Sequence, residues 1–463
     1  MGKHEYLVPK TPKRVLVVLP TERDHSANVV SNLDPEKFQM FWFEDPDFIC
    51  STNPNPEFNL VRYVEKCTEF ILKNRIEAII YSHDMASLVA AVLCERHGLI
   101  GPSLESMFLC QHKYYFRKKE KKSILIDIID VENGTKNLEN LTYPVYIKPP
   151  CLMFSRFQYR INSQQELTDA IETVRPQLSN WNKTFHDFFR QYVDLDKYPL
   201  ADKNIMLVEE LVLNASHHCV EGWVEPDGSI HIWALSDQNY FTDGRMTLDN
   251  YSTPSYLSQA SQDKIISESI DIVKNIGIKS GFWNLEIWIQ GDRYLFTEVN
   301  SRCVSFFYNL YLGTYQTSLY QAIIHLACGN VAACRALAPK APENSGWVRF
   351  GAQFHVVTYG EGNVEDFIDY HFLDSISETK VTVFPDKGQY ITQTSSAGYV
   401  LAQFELFGNS HEEINERALY LRSKMLKKPE CSPDAIYMVG EKLAPSTRAA
   451  SWVPGSPMDC ADP

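Results

Sequence analysis

The sequence lacks the marks of several large protein classes. No Cys-x-x-Cys pair occurs among its 11 cysteines, which are scattered at positions such as Cys50, Cys110, Cys219, Cys303 and Cys431. That scatter argues against a disulfide frame or a zinc site and fits free thiols in a reducing compartment. Long apolar runs are also missing. The longest, around Ser87–Cys94, falls far short of the ~20 residues that span a bilayer. Met1 to Lys13 is polar and has no signal-like apolar core. A cytoplasmic protein without a membrane partner is expected, with triplets such as Asn133-Gly134-Thr135 unused for glycosylation. Positive charge is in deficit: 44 Lys+Arg stand against 58 Asp+Glu, a net charge of −14. That balance argues against nucleic acid as a partner, because phosphate backbones need a basic face. A small anion in a local positive pocket stays open.

What is present is ordinary globular composition over 463 residues, 44% of them hydrophobic. This length has room for roughly two to four packed units. Lys13–Leu19 ends at Pro20 and reads as a buried parallel strand, with Phe38–Phe43 as its neighbour. A helix over 58–73, a strand at Ala78–Tyr81 and a helix over His83–His97, capped by Gly98, complete a parallel α/β unit. It contains no G-x-G-x-x-G, so a dinucleotide site there is not expected. Beyond a basic helical stretch at Lys113–Lys122, strands are expected at 124–129, 143–147, 204–212, 219–224 and 229–235. The last two are joined by the turn Glu225-Pro226-Asp227-Gly228. Helices are expected over 163–174 and 410–424, each opened by Ser-x-x-Glu, and over 261–276. Strands at 283–289 and 293–299 turn at Gly291-Asp292, and a helical segment runs on to about Cys328. A Pro/Ala-rich connection lies at 336–342, then an alternating strand over 348–358. The last ~20 residues have the composition of a disordered tail.

Four features can carry chemistry. Lys113 closes the run Cys110-Gln111-His112-Lys113. Lys148 ends the apolar strand Tyr146-Ile147-Lys148, just before Pro149-Pro150. Glu209 and Glu210 pair at a strand end, before Leu211. On the hairpin, Glu298 and Asn300 lie two residues apart on one strand face and Glu286 lies on the adjacent strand. Two carboxylates and an amide oxygen form a hard-oxygen set suited to Mg2+ bridging nucleotide phosphates. Arg302, two residues further on, can neutralise charge on a transferred phosphoryl group. Lys113 and Lys148 can act as point charges toward phosphates, and the strand-end acid with neighbouring backbone groups suits an adenine edge. His217-His218 reads as strand or loop surface, and Arg117 to Lys122 as a solvated helix face. Arg156, Arg160 and Arg245 are candidate clamps for a substrate carboxylate, and Cys303 is placed near the site.

The order of Ala90–Ser103 leading to Lys113, Pro144–Pro149, Val208–Leu211, Val220–Trp223 and Thr297–Arg302 resembles the ATP-grasp superfamily, in its carboxylate–amine ligase and biotin-carboxylase-like branch. In the last segment Ser301 stands where the family usually has proline. The resemblance implies an α/β and α+β architecture, with an N-terminal Rossmann-like parallel α/β unit followed by a two-lobed ATP-grasp fold. The expected division is an N-terminal domain over 1–122, a small lobe with a flap over 123–205 and a large lobe with the metal site over 206–335. A closing lobe over 336–445 and a tail over 446–463 follow. The same resemblance implies ATP contacts by Lys113, Lys148 and Ser155, and adenine contacts by Glu209, Glu210 and Leu211. It implies Mg2+ (Mn2+ as an alternative) on Glu286, Glu298 and Asn300, and Arg302 as the catalytic group.

The implied reaction is ATP-dependent activation of a carboxylic acid, an amino acid among the candidates, as an acyl phosphate. The acyl phosphate then joins an amine, forming a carbon–nitrogen bond and releasing ADP and phosphate. The implied partners are therefore ATP and small carboxylate and amine molecules, with a homodimer as an open arrangement. Two alternatives stand beside it. One is bicarbonate activation as in biotin carboxylases, although no Met-Lys-Met biotin-attachment segment occurs. The other is a nucleotide-binding scaffold, suggested by Pro150–Phe157, which contains no glycine where family flaps are glycine-rich.

Overall fold

The computed structural model describes residues 12–48, 58–120, 123–134, 141–152, 156–241, 247–340, 349–392 and 398–433. Strand β1 (Lys13–Val18) has four consecutive buried residues, Val15 to Val18. A strand buried on both faces needs cover on both, which a parallel arrangement with helical crossings supplies. Strands β2 (Phe38–Phe43) and β3 (Ala78–Ile80) flank β1 in parallel, in the order β2-β1-β3. The crossings are α1 (Glu22–Ser31) and α2 (Leu60–Asn74), and α3 (Asp84–His97) follows β3. Asn59 caps α2 by accepting the Arg62 N–H, and Gly98 ends α3 at φ 65°, a left-handed turn that glycine adopts without strain. Two short helices follow, α4 (Leu104–Gln111) and α5 (Lys113–Lys119). The first was not visible in the sequence. The expected parallel α/β unit is therefore present.

The second unit is a four-stranded antiparallel sheet in the order β4-β7-β5-β6. Its strands are β4 (Leu125–Asp130), β5 (Val145–Lys148), β6 (Tyr159–Ile161) and β7 (Ile205–Glu210). Helix α6 (Gln164–Tyr192) buries Leu167, Ile171, Val174 and Leu178 along one stripe. Ser163 accepts the Glu166 N–H, and the Glu166 carboxylate accepts the Asn162 N–H at 2.8 Å. The expected division between 205 and 206 falls at the start of β7, which pairs with β4 and β5.

The third unit is an eight-stranded antiparallel sheet. It holds β8 (Ser216–Val224), β9 (Ile230–Tyr240), β10 (Leu248–Thr253), β11 (Gly281–Gln290) and β12 (Arg293–Asn300). Helices α7 (Gln259–Ile276), α8 (Phe307–Tyr315), α9 (Leu319–Ala327) and α10 (Val331–Leu337) accompany them. The sheet continues without a break into β13 (Phe350–Thr358), β15 (Val381–Val383) and β17 (Tyr399–Gly408). A separate two-stranded ribbon pairs β14 (Gly362–Asn363) with β16 (Tyr390–Ile391); α11 (Tyr370–Ser375) lies between those two strands and α12 (His411–Met425) follows β17. The strand order is β12-β11-β8-β9-β10-β13-β17-β15, so β10 joins the expected large and closing lobes through backbone hydrogen bonds. The expected tail at 446–463 lies outside the described residues.

Candidate active site

A cavity of about 1310 Å3 opens between the three sheets. The β11–β12 hairpin builds one wall. Glu286 lies opposite Glu298 and Asn284 opposite Asn300, so all four side chains share one sheet face. The register slips after Glu286, leaving Thr297 as the extra residue, and its hydroxyl donates to the Glu286 carbonyl at 3.1 Å. Such a bulge turns the side chains beside it. The Asn300 amide donates to Asn284 Oδ1 at 3.0 Å and to Glu286 Oε1 at 3.2 Å. His217 on β8 stacks on Trp288 and lies 3.4 Å from Glu286 Oε2.

The lysines approach from the other units. Lys113, at the start of α5, sits 3.0 Å from Glu298 Oε2. Burial works against the Glu298 charge, but Lys113, Lys148 and Arg302 outweigh it and hold the carboxyl below the usual carboxylate range. Lys148, at the end of β5, is 2.9 Å from Glu209 Oε2. Arg117 Nε donates to Glu209 Oε1 at 2.7 Å, and the same guanidinium reaches Glu120 and the Phe296 carbonyl. Burial lowers the pKa of Lys148, opposed by Glu209. Burial lifts the Glu120 carboxyl to about 7 despite Arg117.

This buried group corrects the reading of Arg117 to Lys122 as a solvated helix face, because Arg117 is only 1% exposed. It also commits both carboxylate oxygens of Glu209 to cations. The Glu210 carboxylate pairs with Arg293 at the surface. The strand-end backbone from Glu210 through Leu211 remains on the cavity wall. His217 and His218 also depart from expectation, since both are buried on a central strand rather than at the surface.

Arg302 is held by the N-terminal unit. Its Nε lies 3.1 Å from Asp84 Oδ1, and a second nitrogen donates to Asp84 Oδ2 at 3.2 Å and to Asn300 Oδ1 at 3.4 Å. Asp84 stands at the start of α3, on a segment the sequence marked only as a helix start. Ser301 and Ser87 share a 2.7 Å hydroxyl contact that fastens the same loop. Lys113, Lys148, Glu209, Glu210, Leu211, Glu286, Glu298, Asn300 and Arg302 all line the one cavity. Ser155 and Arg245 lie outside the described residues. Arg160 reaches the cavity wall, whereas Arg156 stacks over Trp181, 4.2 Å from its ring. Cys303 is buried among Phe307, Leu310 and other apolar side chains.

Residues 141–306 match the family described as the ATP-grasp domain. The chain carries an ATP-grasp domain. Solved structures with the ATP-grasp-like architecture align over nearly the whole chain. The L-amino acid ligase from Bacillus licheniformis aligns with a TM-score of 0.69 and 13% identity, over 90% of this chain and 98% of that one. Phosphoribosylglycinamide synthetase from Anaerococcus prevotii gives 0.59 and 14%, over 89% and 98%. Biotin carboxylase from Campylobacter jejuni gives 0.58 and 12%, over 92% and 94%. At these identities the likeness is one of fold. Curated proteins give no sequence match.

The two carboxylates offer hard oxygens of the kind a divalent cation takes. Glu286 and Glu298 side chains are 23% and 27% exposed, and the Asn300 amide turns its nitrogen to Glu286 and its oxygen to Arg302. Among the described residues no three His, Cys, Asp or Glu side chains form a metal cluster. The set here is two acids and one amide. No described helix is long and apolar enough to cross a membrane.

Proposed function

We propose that the chain is an ATP-dependent ligase that activates a carboxylic acid as an acyl phosphate and joins it to an amine. The observation that carries this reading is the convergence of Glu286, Glu298, Asn300, Arg302, Lys113 and Lys148 on one cavity. The match to the ATP-grasp domain and the fold likeness to an L-amino acid ligase support it.

In this reading Lys113 and Lys148 hold the ATP phosphates, and the backbone beside Leu211 faces the adenine. Glu286, Glu298 and Asn300 would hold Mg2+, which supplies charge neutralisation to the phosphate oxygens. A carboxylate oxygen of the acid attacks the γ-phosphorus, and the bond from that phosphorus to the bridging oxygen breaks, giving ADP. The amine nitrogen then attacks the acyl carbon. The carbon–oxygen bond to phosphate breaks, and the proton lost from nitrogen leaves with the phosphate. Arg302, aimed by Asp84, stabilises charge at both steps. Positioning and charge supply the acceleration, with no covalent protein intermediate.

The test is ADP release from Mg-ATP with paired pools of carboxylic acids and amines. Turnover that requires both an acid and an amine is expected, and Glu298→Gln should abolish it. Normal turnover by that variant would overturn the site assignment.

A further inference from the structure

The cavity is larger than one small molecule needs. Pockets for single ligands run to about 300–1,000 Å3, and this one measures about 1310 Å3. Beyond Arg302 the wall continues along the 303–306 loop to β13 and β17. Arg23 of α1 lies over the Phe306 ring at 4.6 Å. Tyr251 of β10 sits 5.7 Å from Phe306 and 6.0 Å from His355, ring to ring. Gln353, opposite Glu405 in the β13–β17 register, donates its amide to the Phe306 carbonyl and to Glu405 Oε1, each at 3.1 Å. All of these residues line the cavity.

Two features of this arm point to a ligand. Gln353 is 1% exposed, yet its Oε1 has no hydrogen-bond partner among the described residues. A buried acceptor without a donor is unfavourable, and a ligand N–H or O–H would satisfy it. The arm also carries both signs of charge. Burial raises the Glu405 carboxyl against the opposing pull of Gln353, Lys380 and Arg23. Ammonia or a simple alkylamine offers nothing to Arg23, and a purely anionic molecule would meet Glu405.

We propose that this arm binds the amine partner of the ligation, and that the partner is an amino acid with a hydrogen-bond donor in its side chain. Its carboxylate pairs with Arg23, and its side-chain donor is received by Gln353 Oε1 and Glu405. Tyr251 and Phe306 flank the carbon stem. The α-amino group is left facing the Arg302 end, where the acyl carbon is attacked. This inference rests on the ligase reading.

The test uses the full chain loaded with Mg-ADP. Serine, glutamine and lysine, each as the free acid and as its α-amide, are titrated by calorimetry beside norvaline. At least one of the three should bind, with its amide and norvaline each at least tenfold weaker. Arg23→Gln should bring acid and amide to equal affinity. Glu405→Gln and Gln353→Leu should each reduce the preference over norvaline, and all three variants should keep the wild-type affinity for ADP. Equal binding of acid and amide by the wild type would overturn the proposal. So would discrimination that persists in Arg23→Gln, or ADP binding with no amino acid binding. Loss of Mg-ADP binding by the wild type would instead overturn the ligase reading itself.

Discussion

The Lys113 ammonium stands 3.0 Å from a carboxylate oxygen of Glu298, joining the start of α5 to the end of β12. The pair ties a cation proposed for the phosphates to an acid proposed for the metal. Lys113→Met removes one charge-assisted contact, worth about 1.5–3 kcal/mol. ATP affinity is therefore expected to fall by roughly 10–100-fold. Titration of the variant with ATP checks this, and unchanged affinity would remove Lys113 from the phosphate site.

Arg117 makes a different kind of contribution. It is buried, with Glu209, Glu120 and the Phe296 carbonyl as partners. Removing one member of a buried ion pair costs about 3–5 kcal/mol, because the remaining charge loses its partner. Arg117→Met should lower Tm by at least about 5 °C in a thermal melt. It should also raise the apparent KM for ATP, because Glu209 then pulls on Lys148 alone.

Glu221 predicts a pH dependence of stability. Burial pushes its carboxyl up from 4.5 to about 7, with the Val304 N–H and Arg302 opposing. The folded state therefore holds this proton more tightly than the unfolded chain does. The stabilisation is complete below pH 4.5 and is lost as pH rises through about 7. Glu221→Gln removes this titration and keeps an oxygen for the Val304 N–H. Relative to wild type, the variant should gain stability between pH 5 and 8, by up to ~3 kcal/mol. Urea midpoints at the two pH values measure it, and parallel profiles would contradict it.

Asp84 holds Arg302 through two contacts, at 3.1 and 3.2 Å. Asp84→Asn keeps the shape and removes the charge. A fall in kcat of about 10–100-fold, with the KM for ATP nearly unchanged, is the expected pattern for an orienting residue. A change confined to KM would assign Asp84 to nucleotide binding.

Much of this architecture could be read from the chain because its signals are local. Val15–Val18 has to be covered on both faces, Gly98 marks a helix end, and Gly291 marks a hairpin. Residues two apart on that hairpin share a face, so Glu298 and Asn300 were legible as neighbours. Arg117 was not, since its partner Glu209 lies 92 residues away and nothing in a run of lysines distinguishes this buried cation. β10 escaped because Leu248-Asp249-Asn250-Tyr251-Ser252-Thr253 has no apolar alternation, although it joins the two parts of the eight-stranded sheet. His217 and His218 were misplaced for a related reason. Packing between β9 and β11, not residue type, buries them. The Asp84–Arg302 pair spans 218 residues and depends on how α3 meets the β12 end.

The central claim is that this cavity makes an acyl phosphate. Its most direct measurement is trapping with hydroxylamine in the presence of Mg-ATP and a panel of carboxylic acids. Hydroxamate formation stoichiometric with ADP, dependent on one class of acid and lost in Glu298→Gln, is the predicted result. ADP release without hydroxamate for any acid, or hydroxamate formation undiminished in Glu298→Gln, would contradict it.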